Sequence, residues 1–178
     1  VGYAGTILHY NGTSWSSMDS GTTNYLRCVW GSGPNDVFAV GYAGTILHYN
    51  GTGWSSMDSG TINTSLGVWG SASNDVYTVG YTGAILHYNG TSWSSMDSGT
   101  INDLYAVWGS GPNDVFAIGA SGTILHYEIS CIITFDTLPP NTGTITFDSV
   151  RYNDGDTTSK TPGVYSITAN STTGYKFT

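Results

Sequence analysis

The sequence has few charged side chains, and very few of them are basic. Only 9% of its 178 residues are charged, and four Lys and Arg stand against twelve Asp and Glu, which gives a formal net charge of −8. A nucleic-acid-binding surface needs clustered Lys and Arg to displace the counterions of the phosphates. An anionic membrane surface attracts basic segments in the same way. The composition therefore argues against nucleic acid as a partner and disfavours an anionic membrane surface.

Long apolar runs are also missing. No run approaches the roughly 20 residues that a membrane-spanning helix needs, so we expect no membrane span in this segment. The chain does not begin with Met and opens inside a repeated unit, which suggests a mature or trimmed piece of a longer protein. Gly, Ser, Thr, Asn and Tyr replace the charged residues, and this composition is typical of turn-rich, all-β proteins at the cell surface or outside the cell.

Cysteine is scarce, with only Cys28 and Cys131. Cys28 stands where the other repeats carry Gly67 and Ala106, so one interpretation is a small buried side chain. The other is a disulfide with Cys131, within one chain or between two. A reactive thiol is not expected, because the repeats do not place a base or a cation reliably beside this position.

What the sequence does have is a repeat with a fixed period of 39 residues. Val-Gly-Tyr occurs at residues 1–3, 40–42 and 79–81, and the second unit matches the first at 29 of 39 positions, the third at 33. Such a period marks a solenoid, propeller or array, in which each unit buries its apolar faces against its neighbours. A repeated scaffold constrains the fold tightly and the function poorly.

One unit is predicted to contain four short strands. In the last copy, 103–109 is rich in β-formers, 115–119 is apolar throughout, and 123–127 follows a Gly-containing turn. In the complete units an Asn-Gly pair follows the third strand and predicts a type I′ hairpin turn, after which an alternating segment such as 14–18 forms the fourth strand.

Four antiparallel strands in about 39 residues is the size of one propeller blade. The predicted fold is an all-β propeller over residues 1–128. It has two whole blades at about 25–102, a leading partial blade, and a trailing blade without its fourth strand. Fewer than four blades do not close a ring, so the ring is incomplete in this span.

Residues 36–54, Asp-Val-Phe-Ala-Val-Gly-Tyr-Ala-Gly-Thr-Ile-Leu-His-Tyr-Asn-Gly-Thr-Gly-Trp, resemble bacterial and archaeal propeller repeats of the Asp-box or BNR type. Photosystem assembly-factor propellers are similar. In that group an Asp-Gly-Gly turn precedes Thr-Trp, and here 10–15 is a degenerate form with Asn in place of the Asp. The resemblance covers residues 1–128 and implies the propeller fold. The members of this group of propellers range from sialidases to assembly factors and receptors.

The sialidase part of the resemblance implies three arginines that grip a substrate carboxylate, with Tyr, Glu and Asp for the chemistry. This chain has one arginine, Arg27, and one glutamate, Glu128, within its first 128 residues, so the arginine cluster cannot be assembled and we expect no enzyme and no cofactor. The four repeated histidines are interpreted as strand residues copied with their blades rather than as metal ligands. The repeated aspartates are interpreted as turn residues that bond to the backbone, with weak calcium binding as the alternative. These residues are His9, His48, His87 and His126, and Asp19, Asp58, Asp97, Asp36, Asp75 and Asp114.

The period stops at Glu128, and residues 129–178 are predicted to form a second domain. Strand-like runs at 129–135, 143–147, 150–152, 163–169 and 175–177, with a turn at 153–155, resemble the small β-sandwich modules of prokaryotic surface proteins. About 50 residues is small for a stable sandwich, so the module is expected to be incomplete or to exchange a strand with a partner. N-glycosylation sequons occur at Asn11, Asn50, Asn63, Asn89 and Asn170.

Three functions remain open. The first is a non-enzymatic extracellular structural or adhesive protein that self-associates, by strand exchange at its open ends, into a filament or layer. The alternative is a propeller that binds carbohydrate or protein through its repeated aromatic residues. A hydrolase of the Asp-box type is third. The repeated aromatic residues are Trp15, Trp54, Trp93, Tyr10, Tyr49 and Tyr88.

Overall fold

The computed structural model describes residues 1–128, and beyond them five further strands. The chain divides into two compact units, Val1–Tyr127 and Glu128–Thr178. No helix among the described residues has the length and apolar character needed to cross a membrane.

The first unit consists of the predicted four-stranded blades, which confirms the all-β propeller architecture and its incomplete ring. All strands pair antiparallel and in chain order. The leading hairpin consists of β1 (Ile7–Tyr10) and β2 (Trp15–Met18). Blade I consists of β3 (Leu26–Gly33), β4 (Asp36–Gly41), β5 (Ile46–Tyr49) and β6 (Trp54–Met57), and blade II of β7 (Ser65–Ala72), β8 (Asp75–Gly80), β9 (Ile85–Tyr88) and β10 (Trp93–Met96). The trailing blade consists of β11 (Leu104–Gly111), β12 (Asp114–Gly119) and β13 (Ile124–Glu128).

The first strands of the blades lie side by side, with β7 packed between β3 and β11. A tryptophan of each blade covers a glycine of the next. A Cβ atom added to Gly70 would lie 2.7 Å from Cη2 of Trp30, and one added to Gly109 would lie 2.6 Å from Cη2 of Trp69. These glycines therefore make room for the indole of the preceding blade.

The largest apolar cluster lies between blades rather than inside one of them. Blade I contributes residues from β4 and β5, and blade II contributes residues from all four of its strands. Trp93 of β10 reaches back to Phe38 of blade I. Its buried members are Phe38, Val40, Ile46, Val68, Val76, Leu86 and Trp93. A single blade consequently exposes apolar faces that only its neighbours can bury.

The turn after the third strand differs from the type I′ turn that Asn-Gly predicts. Tyr10 pairs with Trp15, so the loop has four residues, and only Gly12 in it has a positive φ, at 95°. Oδ1 of Asn11 accepts hydrogen bonds from the backbone N–H groups of Thr13 and Ser14, at 2.9 and 3.0 Å. The hairpin was predicted correctly and its turn type was wrong, because the Asn side chain closes the loop itself.

The turn with two positive φ angles lies instead between the second and third strands. In blade I the N–H of Thr45 donates to the carbonyl of Tyr42, and the two residues between them, Ala43 and Gly44, have φ of 52° and 68°. Gly44 is required there, because a Cβ atom would lie 1.9 Å from the carbonyl oxygen of Thr61 in the next interblade loop. Ala43 occupies the left-handed region at a cost in energy.

The second unit contains two small sheets. One pairs β14 (Cys131–Thr134) with β17 (Thr157–Lys160), and the other has the order β16 (Val150–Tyr152), β15 (Gly143–Phe147), β18 (Ile167–Ser171). The predicted turn at 153–155 and strand at 175–177 lie outside the described residues. The β-sandwich assignment stays a prediction.

The contact between Trp30 and Gly70 yields a test of blade packing. Gly70→Ala should lower the free energy of unfolding by about 1–3 kcal/mol more than Gly31→Ala, measured by chemical denaturation. The two sites share a close carbonyl, at 2.8 Å from the added Cβ atom, but only Gly70 also faces an indole. Gly33→Ala, which meets nothing within 4 Å, is the control. Equal losses at Gly70 and Gly31 would contradict the packing role of Trp30.

Because Ala43 has a left-handed backbone conformation, we expect its replacement by glycine to stabilise the protein. Ala43→Gly should raise the free energy of unfolding by on the order of 0.5–1 kcal/mol, because relief of the backbone strain exceeds the entropy that glycine adds to the unfolded chain. Ala72→Gly, at a strand end with negative φ, should lower stability instead. The same sign for both variants in thermal or chemical unfolding would refute the turn geometry.

Candidate functional site

Each complete set of first, second and third strands holds one Ser–Asp–His group. In blade I, Nε2 of His48 lies 2.6 Å from one carboxylate oxygen of Asp36, and the hydroxyl of Ser32 donates to the other. An ionised carboxylate only accepts hydrogen bonds, so Nε2 carries the proton. The group joins three strands of one blade. The counterparts are Ser71, Asp75 and His87, and Ser110, Asp114 and His126, both with His–Asp distances of 2.7 Å.

This arrangement does not activate a nucleophile. A nucleophilic serine must donate its proton to the imidazole, whereas here Ser32 and His48 both donate to Asp36. The imidazole also packs on the aromatic residue of the second strand, with ring centroids 4.6 Å apart for His48 and Phe38. The group therefore serves to hold the first, second and third strands of the blade together.

The histidines do not come together around one point. His48, His87 and His126 each bind the aspartate of their own blade, and His9 is exposed in the leading hairpin. No three side chains of the His, Cys, Asp or Glu types form a metal-sized cluster in the described part of the chain.

The repeated aspartates divide into two structural classes. Asp19, Asp58 and Asp97 accept a backbone N–H two residues on, from Gly21, Gly60 and Gly99 at 2.9 Å, as turn residues do. For Asp36, Asp75 and Asp114 the turn interpretation was wrong. Their side chains accept from Ser and His partners, because the second strand begins at the aspartate and places its carboxylate between two neighbouring strands.

The three tryptophans of the fourth strands do not form one repeated exposed surface. Trp15 is 67% exposed, Trp54 is half-buried, and Trp93 is only 8% exposed. Each packs on the tyrosine that pairs with it in the third strand, Tyr10, Tyr49 or Tyr88, with centroids 5.3–5.4 Å apart. The indole N–H groups of Trp54 and Trp93 are buried with no acceptor among the described residues. Burial thus follows from whether a blade precedes the tryptophan.

Cys28 is half-buried and packs against the cluster between blades I and II, whereas Cys131 lies in β14 and its side chain is outside the described residues. The disulfide stays a prediction. The same holds for glycosylation: Asn11, Asn50, Asn63 and Asn89 are exposed, and the side chain of Asn170 in β18 is outside the described residues.

The first strand of every blade begins with a β-bulge. In blade I, Leu26 pairs with Gly41 and Cys28 with Val40, so Arg27 is the extra residue between them. The same shift leaves Leu66 and Tyr105 as the extra residues of β7 and β11. Bulges re-aim side chains and occur often beside functional sites. Because β3, β7 and β11 are neighbours, these three residues form a row, which we call the bulge row.

The repeats differ most at the bulge row and at the positions beside it. Positions 25, 27 and 28 carry a different residue in each of the three units, Tyr-Arg-Cys, Thr-Leu-Gly and Asp-Tyr-Ala, although most other positions are identical. Arg27 and Tyr105 are exposed and Leu66 is half-buried, so the row presents a cation, an aliphatic group and an aromatic group. Sequence reasoning missed this row, and the signal that would have found it is the variation within an otherwise constant repeat.

Stacked tyrosines adjoin the bulge row. Tyr25 precedes β3, and its ring lies parallel to that of Tyr3, 4.0 Å away, and stacks on Tyr42 at 5.3 Å. The guanidinium of Arg27 lies 5.2 Å from the Tyr25 ring centroid, within cation–π range. A side-chain hydrogen bond with Tyr42 raises the pKa of Tyr81, the residue at the equivalent position of blade II.

Arg27 is the single Lys or Arg within residues 1–128, and among the described residues it pairs with no carboxylate. Its donors are therefore available to an anionic group of a ligand. Together, the bulge row and the tyrosines place aromatic, aliphatic and cationic side chains at the start of neighbouring first strands.

Comparison of the sequence with family models found no match, and comparison with curated proteins found none. Solved structures do match. "YCF48 bound to D1 peptide" superimposes with a TM-score of 0.60 at 18% identity, over 71% of this chain and 45% of that one. "YCF48 from Cyanidioschyzon merolae" gives 0.59 at 15% identity, over 70% and 45%. The likeness establishes the propeller fold, and the chain spans less than half of either YCF48 chain.

The Ser–Asp–His group of the trailing blade yields a pH prediction. The hydrogen bond from Ser110, and then that from His126, lowers the pKa of Asp114 below the usual 3.8. Because the folded-state pKa is depressed, the stabilisation is present above 3.8 and is lost as the pH falls through the folded value. Ser110→Ala should move the carboxyl titration of Asp114, followed by NMR, toward 3.8.

Ser121→Ala is the control, because Ser121 is exposed and makes no bond to Asp114. A carboxyl midpoint for Asp114 that is the same in the wild type and in Ser110→Ala would show that the serine does not hold the carboxylate.

Proposed function

We propose that this chain is a non-enzymatic binding propeller that recognises an extended polypeptide segment of a partner protein at the bulge row. The observation that carries this proposal is the concentration of sequence differences at Arg27, Leu66 and Tyr105, on a scaffold that is otherwise nearly constant.

The chemistry of the row specifies the kind of segment. Arg27 takes a carboxylate, from an acidic side chain or a chain terminus, Leu66 takes an aliphatic side chain, and Tyr105 takes an aromatic or planar group. The stacked Tyr3, Tyr25 and Tyr42 add rigid amphipathic area next to Arg27, and tyrosine and arginine are enriched in the energetically dominant contacts of interfaces. A protein with a similar propeller fold is described as bound to a peptide, which supports this ligand class.

Protein is favoured over carbohydrate because the buried position of Trp93 and the half-buried position of Trp54 leave no repeated tryptophan platform for sugar rings. The adhesive and filament-forming role, self-association and the extracellular location stay predictions from the sequence.

The test exchanges two members of the bulge row without changing the composition. Peptides would be selected from a displayed random library against the full chain, and their affinities measured by calorimetry for the wild type and for the double variant Arg27→Leu, Leu66→Arg. We expect at least a tenfold loss, because the order of cation and aliphatic group across the blades is reversed while the net charge is unchanged. Ser55→Ala, exposed on β6, is the control.

Selected peptides that bind the exchanged variant as tightly as the wild type would refute recognition at the bulge row. Failure to enrich any peptide that binds through an acidic side chain or a free C-terminal carboxylate would refute the role of Arg27.

A further inference from the structure

A cavity of about 200 Å³ opens between blade II and the trailing blade. Its apolar lining repeats, 39 residues later, the cluster that fills the junction of blades I and II. Tyr77, Val79, Ile85, Val107, Val115 and Leu125 line the cavity where Phe38, Val40, Ile46, Val68, Val76 and Leu86 form the cluster. One member of the cluster has no counterpart in the lining, and it is Trp93.

Trp93 shows what this space accommodates. Its indole meets Phe38 edge-on with centroids 6.2 Å apart and packs on Tyr88 at 5.3 Å. The counterparts of these two walls, Tyr77 and Tyr127, lie 6.3 Å apart, close to the 5.8 Å between Phe38 and Tyr88. The walls therefore keep the spacing that holds an indole in the preceding junction.

The same place has a free strand edge. Among the described residues β13 pairs only with β12, whereas β9 pairs with both β8 and β10. The position 39 residues after Trp93 is Ile132, which lies in β14, and the described partner of β14 is β17. Ile124 of β13 is 71% exposed, although its counterpart Ile46 is 1% exposed.

We propose that the edge of β13 and this cavity form a docking site for an extended segment of a partner protein, which adds as the fourth strand of the trailing blade and places a tryptophan in the cavity. The register follows from β9 and β10, where Trp93 pairs with Tyr88 and Met96 with Ile85. The incoming tryptophan accordingly pairs with Tyr127, and the residue three positions later pairs with Ile124.

The leading hairpin of a second copy does not fit this site while it remains a hairpin. The inner edge of β2 is occupied by β1, so only its outer edge is free. Antiparallel addition through that outer edge turns the strand over and directs Trp15 to the opposite face of the sheet. A separate extended segment meets no such constraint. This site is distinct from the bulge row and does not depend on it.

The probe is a synthetic peptide with the sequence of residues 89–96, Asn-Gly-Thr-Ser-Trp-Ser-Ser-Met, titrated into the full chain. We expect saturable binding that weakens at least tenfold when the peptide tryptophan is replaced by Ala. N-methylation at alternate peptide positions should abolish binding for one set of positions and leave it intact for the other, because only one edge of an added strand bonds to β13.

Tyr127→Ala in the protein should weaken binding about tenfold, and Tyr10→Ala, at the same repeat position in the leading hairpin, should not change it. Both tyrosines are exposed, so neither change threatens the fold. Amide hydrogen exchange should slow at residues 124–127 when the peptide is added.

Several results would overturn the inference: no binding, binding insensitive to the peptide tryptophan, protection at β9 instead of β13, or pairing of β13 with residues after Glu128 in the free chain. Concentration-dependent dimerisation that occludes β13 would identify a second copy as the occupant and would also overturn it. Peptide binding that maps to Arg27, Leu66 and Tyr105 would leave the proposed function standing and remove this site.

Discussion

The structure depends on the burial of each blade against the next. The first strands touch through an indole laid over a glycine, Trp30 on Gly70 and Trp69 on Gly109, and the outer strands touch through Trp93, which crosses from blade II to Phe38 of blade I. Each of these contacts joins residues about 40 to 55 positions apart. The fold is therefore built from nearest-neighbour interfaces, and the state of any residue depends on which neighbours its blade has.

That dependence explains why identical sequences behave differently along the chain. The segment Trp-Ser-Ser-Met forms the fourth strand in three places, yet the exposure of its tryptophan falls from 67% at Trp15 to 8% at Trp93. The pairing register and the tyrosine partner are the same in each case. The difference arises from the blade that precedes the strand, so a site at the end of the array has different properties from its copies in the middle.

The regular part of the fold could be predicted from the sequence, and the irregular part could not. The period, the strand order and the position of the hairpin between the third and fourth strands follow from the spacing of Trp, Asn-Gly and apolar runs. The turn types did not follow, because Asn11 uses its side chain to hold two backbone N–H groups, and because Ala43, which is not a glycine, adopts a left-handed conformation beside a Gly44 that has no room for a Cβ atom. The role of Asp36 was missed because its partners, four and twelve residues away, lie on different strands. The bulges at Arg27, Leu66 and Tyr105 carry no local signal except the variation among the repeats.

The position of that variation has a consequence for how such a chain can change. A bulge residue stands outside the ladder of paired residues, so Arg27, Leu66 and Tyr105 can be replaced without altering the register of the strands on either side. Duplication of a unit copies the scaffold together with one such position, and each copy is then free to diverge there. A propeller of this kind can acquire a new specificity one blade at a time, while the glycines and tryptophans that join the blades stay fixed.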